Sequence, residues 1–185
     1  NSESMTQLTK SHQMRNLIDK ARNIKNSNIV VVIPNITAIE AVNKAIGEKI
    51  INKAFLVGDP RTYNPELLRY SDHYIFIDID ANLPEYDVLA AKKAVELIRS
   101  GQGNMLMKGK INTAVFLKSV LSRSDGIGTG RRLSMISLFE LPKLNRLVVL
   151  TDPGINPTLT TDDNIDVAKD IIHNAIDVAQ SVGIE

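Results

Sequence analysis

The chain has 185 residues, of which 43% are hydrophobic and 23% are charged, and its formal net charge is +1. This composition is typical of a soluble globular protein, and a charge so close to neutrality argues against a protein that binds nucleic acid or an acidic membrane surface. The absence of cysteine excludes disulfides, thiolate metal sites and cysteine nucleophiles. No apolar run is long enough to span a membrane and no signal peptide opens the chain, so we predict a cytoplasmic protein.

The first part of the chain alternates predicted strands with predicted helices, joined by short connections. Ile29 to Ile33 is a β-branched run that ends at Pro34, as is typical of a strand buried on both faces. The other strands are predicted at residues 54–57, 74–79 and 105–107, and the helices at residues 17–24, 38–46, 86–100 and 113–122. This alternation predicts an α/β fold with a largely parallel sheet.

The alternation stops after Arg132, where two further strands are predicted at residues 133–139 and 147–151. The link between these strands is too short for a parallel crossover, so we expect them to pair antiparallel and to make the sheet mixed. A closing helix is predicted at residues 162–182, since aspartates lie near its start and a glycine near its end.

The domain organisation is predicted from the same pass along the chain. Residues 1–13 are expected to be an N-terminal extension or a cloning remnant. Residues 14–185 contain no internal repeat and no linker rich in proline, glycine or serine, so they are expected to form one α/β region. A boundary between two lobes of that region is predicted near residues 81–103.

A Lys-Gly-Lys turn follows the predicted strand at residues 105–107 and leads into a helix that Asn112 and Thr113 open. Free backbone N–H groups, the positive end of a helix dipole and three nearby lysines favour an anion at such a turn. We therefore predict an anion site to which Lys108, Asn112 and Thr113 contribute. For this segment alone, a plain helix cap with solvated lysines is the competing interpretation.

Two later loops are further candidates for substrate binding. The glycines of residues 124–132 follow a helix and precede a strand, which is the reverse of the order that a dinucleotide-binding turn requires. Arg131 and Arg132 of this loop are predicted either to bind substrate phosphates at a cleft edge or to be a solvated surface pair. In the Pro- and Gly-containing loop after the last strand, Asn156 is a candidate donor to a substrate carbonyl and Asp152 a candidate acceptor, the alternative being a rigid turn.

Three ordered blocks of the sequence resemble the phosphate acetyl/butyryl transferase family, with a lean towards the butyryl branch. The blocks are LMKGKINTAVFLKSVL at residues 106–121, LSMISLFELP at residues 133–142 and VVLTDPGINPTLT at residues 148–160. The resemblance reaches from about Met14 to the last residue and corresponds to the N-terminal two thirds of the family's chains. It implies a three-layer α/β/α fold with a mostly parallel, mixed sheet, like that of the isocitrate and isopropylmalate dehydrogenases.

The resemblance also implies an activity, which is transfer of an acetyl, butyryl or branched-chain acyl group between CoA and inorganic phosphate. Family members place a basic residue, commonly Arg, at the position of Lys118 and assign it to phosphate or acyl phosphate; lysine keeps the charge but lacks the bidentate fork. Lys118 and Asn156 are accordingly the predicted catalytic residues. The family's C-terminal segment, which carries serine and aspartate candidates for handling the CoA thiol, is absent from this sequence, so the 185 residues alone are expected to be inactive.

Other chemistries are disfavoured by the residues. Asp78 and Asp80 alternate at a strand end, but no third metal ligand is near in sequence, and the three histidines are isolated. No nucleophile elbow is present, so direct attack in a ternary complex is expected, with acyl-CoA, phosphate and acyl phosphate as partners and no bound metal or cofactor. A homodimer is predicted. The alternatives are a short relative that binds phosphate or CoA esters without turnover, and a dehydrogenase, whose carboxylate cluster and Tyr-Lys pair the chain does not display.

Overall fold

The computed structural model describes residues 14–157 and 164–184. Its helices are α1 (Met14–Arg22), α2 (Ile36–Gly47), α3 (Tyr86–Arg99), α4 (Thr113–Val120) and α5 (Ile165–Ser181). Its strands are β1 (Asn28–Val32), β2 (Lys53–Gly58), β3 (Tyr74–Asp78), β4 (Met105–Lys108), β5 (Ile136–Leu141) and β6 (Arg146–Thr151). The chain divides into two compact units: Ala21–Gly128 is one, and the described residues before Ala21 and after Gly128 form the other.

The larger unit contains a four-stranded sheet with the order β3-β2-β1-β4, in which every neighbouring pair is parallel. In its centre Val30 lies opposite Phe55 on one side and Leu106 on the other. The run of β-branched residues in β1 suits this position, because a central parallel strand is buried on both faces. The prediction of an α/β fold with a parallel sheet is thus confirmed.

Helices cover both faces of this sheet. Successive side chains of a strand point to opposite faces, so Val30 and Val32 of β1 pack against α3 and α4, whereas Val31 packs against α2. None of these three valines is exposed to solvent. At roughly 25 cal/mol per Å2 of buried apolar surface, such side chains supply most of the gross stabilisation of the unit. The predicted three-layer α/β/α arrangement is therefore present in this unit.

The smaller unit is built on an antiparallel hairpin of β5 and β6, joined by the 3-10 turn Pro142–Leu144. Buried Leu147 of β6 and buried Ile171 of α5 mark the faces by which the strand and the helix contact each other. The predicted antiparallel pairing is confirmed, but the sheet is not mixed: β5 and β6 form a two-stranded sheet of their own, and the parallel sheet has no antiparallel member in the described residues. An antiparallel pair such as β5 and β6 needs no crossover connection, and the backbone N–H and C=O groups of each strand hydrogen-bond to the other strand.

Two sequence-based boundaries differ from the structure. Residues 81–103 lie inside the larger unit, because α3 packs on β1 and β2 and so shares their core; the predicted lobe boundary there is not where the chain divides. β5 begins at Ile136 rather than at Leu133. The carbonyl of Leu133 accepts a hydrogen bond from the Asn156 side chain instead of a ladder partner. The predicted extension at residues 1–13 and the predicted helix start at residues 162–163 lie outside the described residues.

Candidate functional site

The strand order places the carboxyl ends of β1 and β4 beside each other at a topological switch point. From β1 the chain runs outwards through β2 to β3, and then crosses back so that β4 lies on the other side of β1. The helices that follow β1 and β4 therefore leave the sheet in diverging directions and open a crevice between their first turns. In α/β sheets, ligands bind in such crevices.

The turn after β4 packs directly against the backbone at the end of β1. The N–H of Gly109 donates to the carbonyl of Val32 over 2.9 Å, and the N–H of Lys110 donates to that of Ile33 over 2.7 Å. A Cβ on Gly109 would overlap the Ile33 carbonyl oxygen and lie 2.7 Å from that of Val32, so only glycine fits. Ile33 itself has φ +52°, a conformation that β-branched residues rarely adopt and that surrounding contacts must maintain.

A cleft of about 700 Å3 lies at the carboxyl ends of these strands. Its charged lining residues are Lys110 and Asp87. Its other lining residues come from the end of β1 and the first turn of α2, from the segment after β2 and from the segment between β3 and α3: Ile33, Pro34, Asn35, Ile36, Thr37, Thr62, Tyr63, Asn64, Leu67, Ala81 and Tyr86. Polar groups thus converge on a partly apolar pocket, the usual composition of a small-molecule site.

Two asparagines cap helices at this edge of the sheet. Asn35 accepts a hydrogen bond from the N–H of Ala38 in α2, and Asn112 accepts from the N–H groups of Ala114 and Val115 in α4. The predicted helix opening at Asn112 and Thr113 is therefore observed. The Asn112 side-chain oxygen is occupied by its own helix, which leaves its amide nitrogen and exposed Thr113 as the polar groups for a ligand.

Asp59 ties the walls of the cleft together. This residue is 3% exposed; one carboxylate oxygen accepts from the Nε of Arg61 at 2.6 Å and the other accepts from the N–H of Ala81 at 2.8 Å. The bond from Arg61 lies within the turn after β2, and the bond from Ala81 joins that turn to the segment after β3. Hydrogen bonds from Arg61 and then from Ala81 lower the pKa of Asp59 to about 2, because each stabilises the charged carboxylate.

Two phenols line the same cleft. The Tyr86 hydroxyl accepts a hydrogen bond from the backbone N–H of Asp59 at 2.9 Å, which leaves its own proton to donate. Burial raises the pKa of Tyr86 and raises that of Tyr63 to about 12, because a phenolate would be poorly solvated there. Both phenols are consequently neutral hydrogen-bonding groups at physiological pH. Gly58 allows this packing, since a Cβ there would lie 2.8 Å from the Tyr86 hydroxyl oxygen.

We expect the Asp59 network to make the protein sensitive to acid. The pKa of Asp59 in the folded chain, about 2, lies below its unfolded value of 3.8, so its stabilisation is complete above the unfolded pKa and is lost as pH falls through about 2. Asp59→Asn should lower the free energy of unfolding at neutral pH. In this variant the free energy of unfolding should also fall less steeply than in the parent between about pH 4 and pH 2. Urea unfolding at a series of pH values measures both effects. Parallel stability-versus-pH curves for the two proteins would contradict this assignment.

The remaining lysines predicted for the anion site lie elsewhere. Lys108, whose Nζ is 3.4 Å from the Gly109 carbonyl oxygen, does not line the cleft. Lys118 lines a separate groove of about 850 Å3 between α3 and α4, together with Ser119 and Ser122. This position follows from helix geometry, since five residues after Thr113 is about 140° net rotation around α4. Lys110 is the lysine that the structure brings to the cleft.

Asn156, in the smaller unit, is 7% exposed and fully engaged by neighbours. Its side-chain nitrogen donates to Asp152 at 2.6 Å and to the Leu133 carbonyl at 2.9 Å, while its oxygen accepts from the Nε of Arg132 at 2.8 Å. The hydrogen bond from Asn156 lowers the pKa of Asp152 to about 2. This arrangement fixes the loop and orients Arg132, but in the described residues the Asn156 amide has no hydrogen left to donate to a substrate.

The two arginines of the same unit have different surroundings. Arg131 forms an ion pair with Asp177 of α5, so its charge is partly compensated. Arg132 is held at Nε by Asn156, and its backbone N–H donates to Asp170 at 2.8 Å. Within the described part of the chain the terminal guanidinium nitrogens of Arg132 make no hydrogen bond, so they remain available to an anion.

Sequence reasoning passed over three groups that shape the cleft, namely Asp59, Tyr86 and Asp87. Asp59 follows a strand directly in a Gly-Asp-Pro turn, and this position at a strand's carboxyl end was the available signal. Tyr86 and Asp87 open α3, where nothing local indicates that they face the β1 and β4 ends. No group of three or more potential metal ligands occurs within residues 14–157 and 164–184. None of the described helices could cross a membrane.

Known proteins resemble this chain over most of its length, although no family model matches it. The phosphate butyryltransferase of Clostridium acetobutylicum is 35% identical over 163 residues, which are 84% of this chain and 50% of the relative. The phosphate acetyltransferase of Thermotoga maritima is 36% identical over 98 residues, 52% of this chain and 31% of the relative. The chain is a relative of the phosphate acetyl/butyryl transferases. The resemblance inferred from the three sequence blocks is thereby confirmed.

A solved structure supports the fold. The branched-chain phosphotransacylase from Enterococcus faecalis V583 matches with a TM-score of 0.63 and 24% sequence identity, and the match covers 85% of this chain and 52% of that chain. At this identity the likeness concerns the fold. The chain spans about half the length of the curated butyryltransferase that it matches.

Proposed function

We propose that this protein transfers an acyl group (acetyl, butyryl or branched-chain) between CoA and inorganic phosphate. The observation that carries the proposal is the position of residues 105–118, the most family-like segment of the chain. This segment forms β4, the Lys-Gly-Lys turn and the opening of α4, beside the cleft at the switch point. A lysine, neutral phenols and helix first turns converge there, which suits a multiply anionic substrate.

The proposed reaction is direct. A phosphate oxygen attacks the thioester carbonyl carbon of acyl-CoA, the new C–O bond forms, the C–S bond breaks, and CoA leaves as a thiolate that takes up a proton. The protein supplies position and fixed positive potential for this step rather than a covalent nucleophile. CoA and phosphate are then substrates, and no bound cofactor is needed.

The proposed roles follow the geometry. Lys110 binds phosphate in the cleft, and neutral Tyr86 donates to a substrate oxygen there. Thr113 and the first turn of α4 do not line the cleft but follow Lys110 closely in the chain, and they are proposed to contact the phosphate from beside it. Lys118 in the α3–α4 groove of the larger unit remains a candidate for a phosphate of CoA. In the smaller unit, the oriented Arg132 is by itself a candidate for an anionic group of a substrate. The other predicted residues, Lys108, Arg131, Asp152 and Asn156, have positions that suit support or orientation better than direct contact.

The proposal extends to the setting of the protein. We place it in the cytoplasm, as a homodimer that needs neither a membrane nor a nucleic acid, in keeping with its near-neutral charge. Size-exclusion chromatography with light scattering tests the dimer directly.

The activity is tested by adding butyryl-CoA and phosphate to the product of the complete gene and following free thiol with a colorimetric reagent. We expect thiol release that requires phosphate and saturates with it. Release that is independent of phosphate would indicate a thioesterase and contradict the proposal. Binding of phosphate and acyl-CoA without thiol release would instead support the alternative of a relative that binds these ligands without turnover.

A further inference from the structure

We propose that Asp87 makes the cleft selective for anions that carry a proton, so that it accepts phosphate and rejects sulfate. This inference rests on the proposed function, because it assumes that the anion of the reaction enters the cleft beside Lys110. A site that only attracted anions would not be expected to contain a carboxylate, which repels them, so the presence of Asp87 needs an explanation. Asp87 and Lys110 are the charged residues that line the cleft.

The position of Asp87 is fixed by α4. Its Oδ2 accepts a hydrogen bond from the backbone N–H of Asn112 at 3.2 Å, although the two residues are 25 positions apart. Asp87 also lies in the first turn of α3, where a helix dipole stabilises negative charge. Within the part of the chain that the structure describes, its Oδ1 has no hydrogen-bond partner. A carboxylate oxygen therefore remains available at the cleft as an acceptor.

An ionised carboxylate accepts hydrogen bonds and donates none. An anion beside Asp87 must therefore bring its own proton, or two negative oxygens come into contact without a hydrogen between them. Phosphate carries at least one proton at neutral pH and can donate it to Oδ1 while its other oxygens face Lys110. Sulfate carries none. Charge attraction alone would favour sulfate, the fully charged dianion, so a preference for phosphate has to come from an acceptor such as Asp87.

The experiment measures binding of inorganic phosphate and of sulfate by isothermal titration calorimetry, at neutral pH and matched ionic strength. We expect the parent protein to bind phosphate roughly 10- to 100-fold more tightly than sulfate, the ratio given by one hydrogen bond to a charged group. Asp87→Asn keeps an acceptor for the Asn112 N–H and adds an amide donor, so sulfate affinity should rise to within a few-fold of phosphate affinity. Asp72→Asn removes the same charge at an exposed position outside the cleft and should leave the ratio unchanged.

The outcomes separate this inference from the proposed function. Equal affinity of the parent for the two anions would overturn the role of Asp87 and leave the phosphate site standing; this measurement needs no variant. A preference for phosphate that survives in Asp87→Asn would also overturn it. If neither anion binds the parent, the cleft is not the phosphate site, and both the proposed site and the role of Asp87 are wrong.

Discussion

Replacing Lys110 by alanine in the product of the complete gene should lower kcat/KM for phosphate-dependent thiol release by roughly 10- to 1000-fold, the scale for removing one group that stabilises the transition state. Lys110 is the cation that lines the cleft at the end of β4, while its backbone N–H bonds to Ile33. The substitution removes the charge and leaves that backbone bond in place. Steady-state kinetics with phosphate as the varied substrate provide the measurement. Thr113→Ala at the opening of α4 should lower kcat/KM in the same direction.

Two lysines on helices provide the comparison. Lys93 forms an exposed ion pair with Glu96 on α3, so Lys93→Ala removes one positive charge away from the cleft and should leave kcat/KM unchanged. Lys118→Ala probes the α3–α4 groove. A loss of activity in Lys118→Ala with no effect in Lys110→Ala would move the phosphate site from the cleft to that groove.

Gly109→Ala should destabilise the larger unit by roughly 2–4 kcal/mol, because it combines overpacking with the loss of backbone hydrogen bonds. The added methyl group would overlap the Ile33 carbonyl and press on that of Val32. Since both contacts are to backbone, side-chain rotation cannot relieve them. Urea unfolding followed by circular dichroism measures the change.

Gly128→Ala is the matched control. A Cβ at Gly128 meets nothing within 4 Å, so the same substitution should leave stability unchanged or raise it by at most about 1 kcal/mol through the unfolded state. If the two alanine variants were equally stable, the close approach of the β4 turn to the end of β1 would not be a constraint on the fold.

The sequence predicted the larger unit well because its signals are local. The β-branched run at residues 29–33 and the spacing of its neighbours predict buried parallel strands and covering helices. These local signals do not predict the strand order β3-β2-β1-β4, because no local pattern indicates which strands are neighbours in the sheet. The position of the switch point, and with it the cleft, therefore became visible only in the structure.

The positions of polar side chains show more clearly what cannot be predicted from the sequence. The two prolines and the glycine near Asn156 correctly predict a fixed loop, but the direction of its amide depends on Arg132, which is 24 residues away. Asp87 and Asn112, which are joined by a hydrogen bond, are separated by a similar number of residues in the sequence. For Lys118, by contrast, the regular rotation of a helix already predicts that it does not share a face with Thr113. Side-chain positions set by one helix are predictable from spacing, whereas those set by contacts between segments are not.

The central claim is that phosphate binds in the cleft at the switch point. The most direct test is to titrate the isotopically labelled chain with inorganic phosphate and follow its assigned backbone amide signals by NMR. The account predicts saturable shifts that are largest at Thr37, Lys110 and Thr113, around the first turns of α2 and α4. Shifts confined to Ser119 and Ser122 in the α3–α4 groove, or no saturable shifts at all, would contradict it.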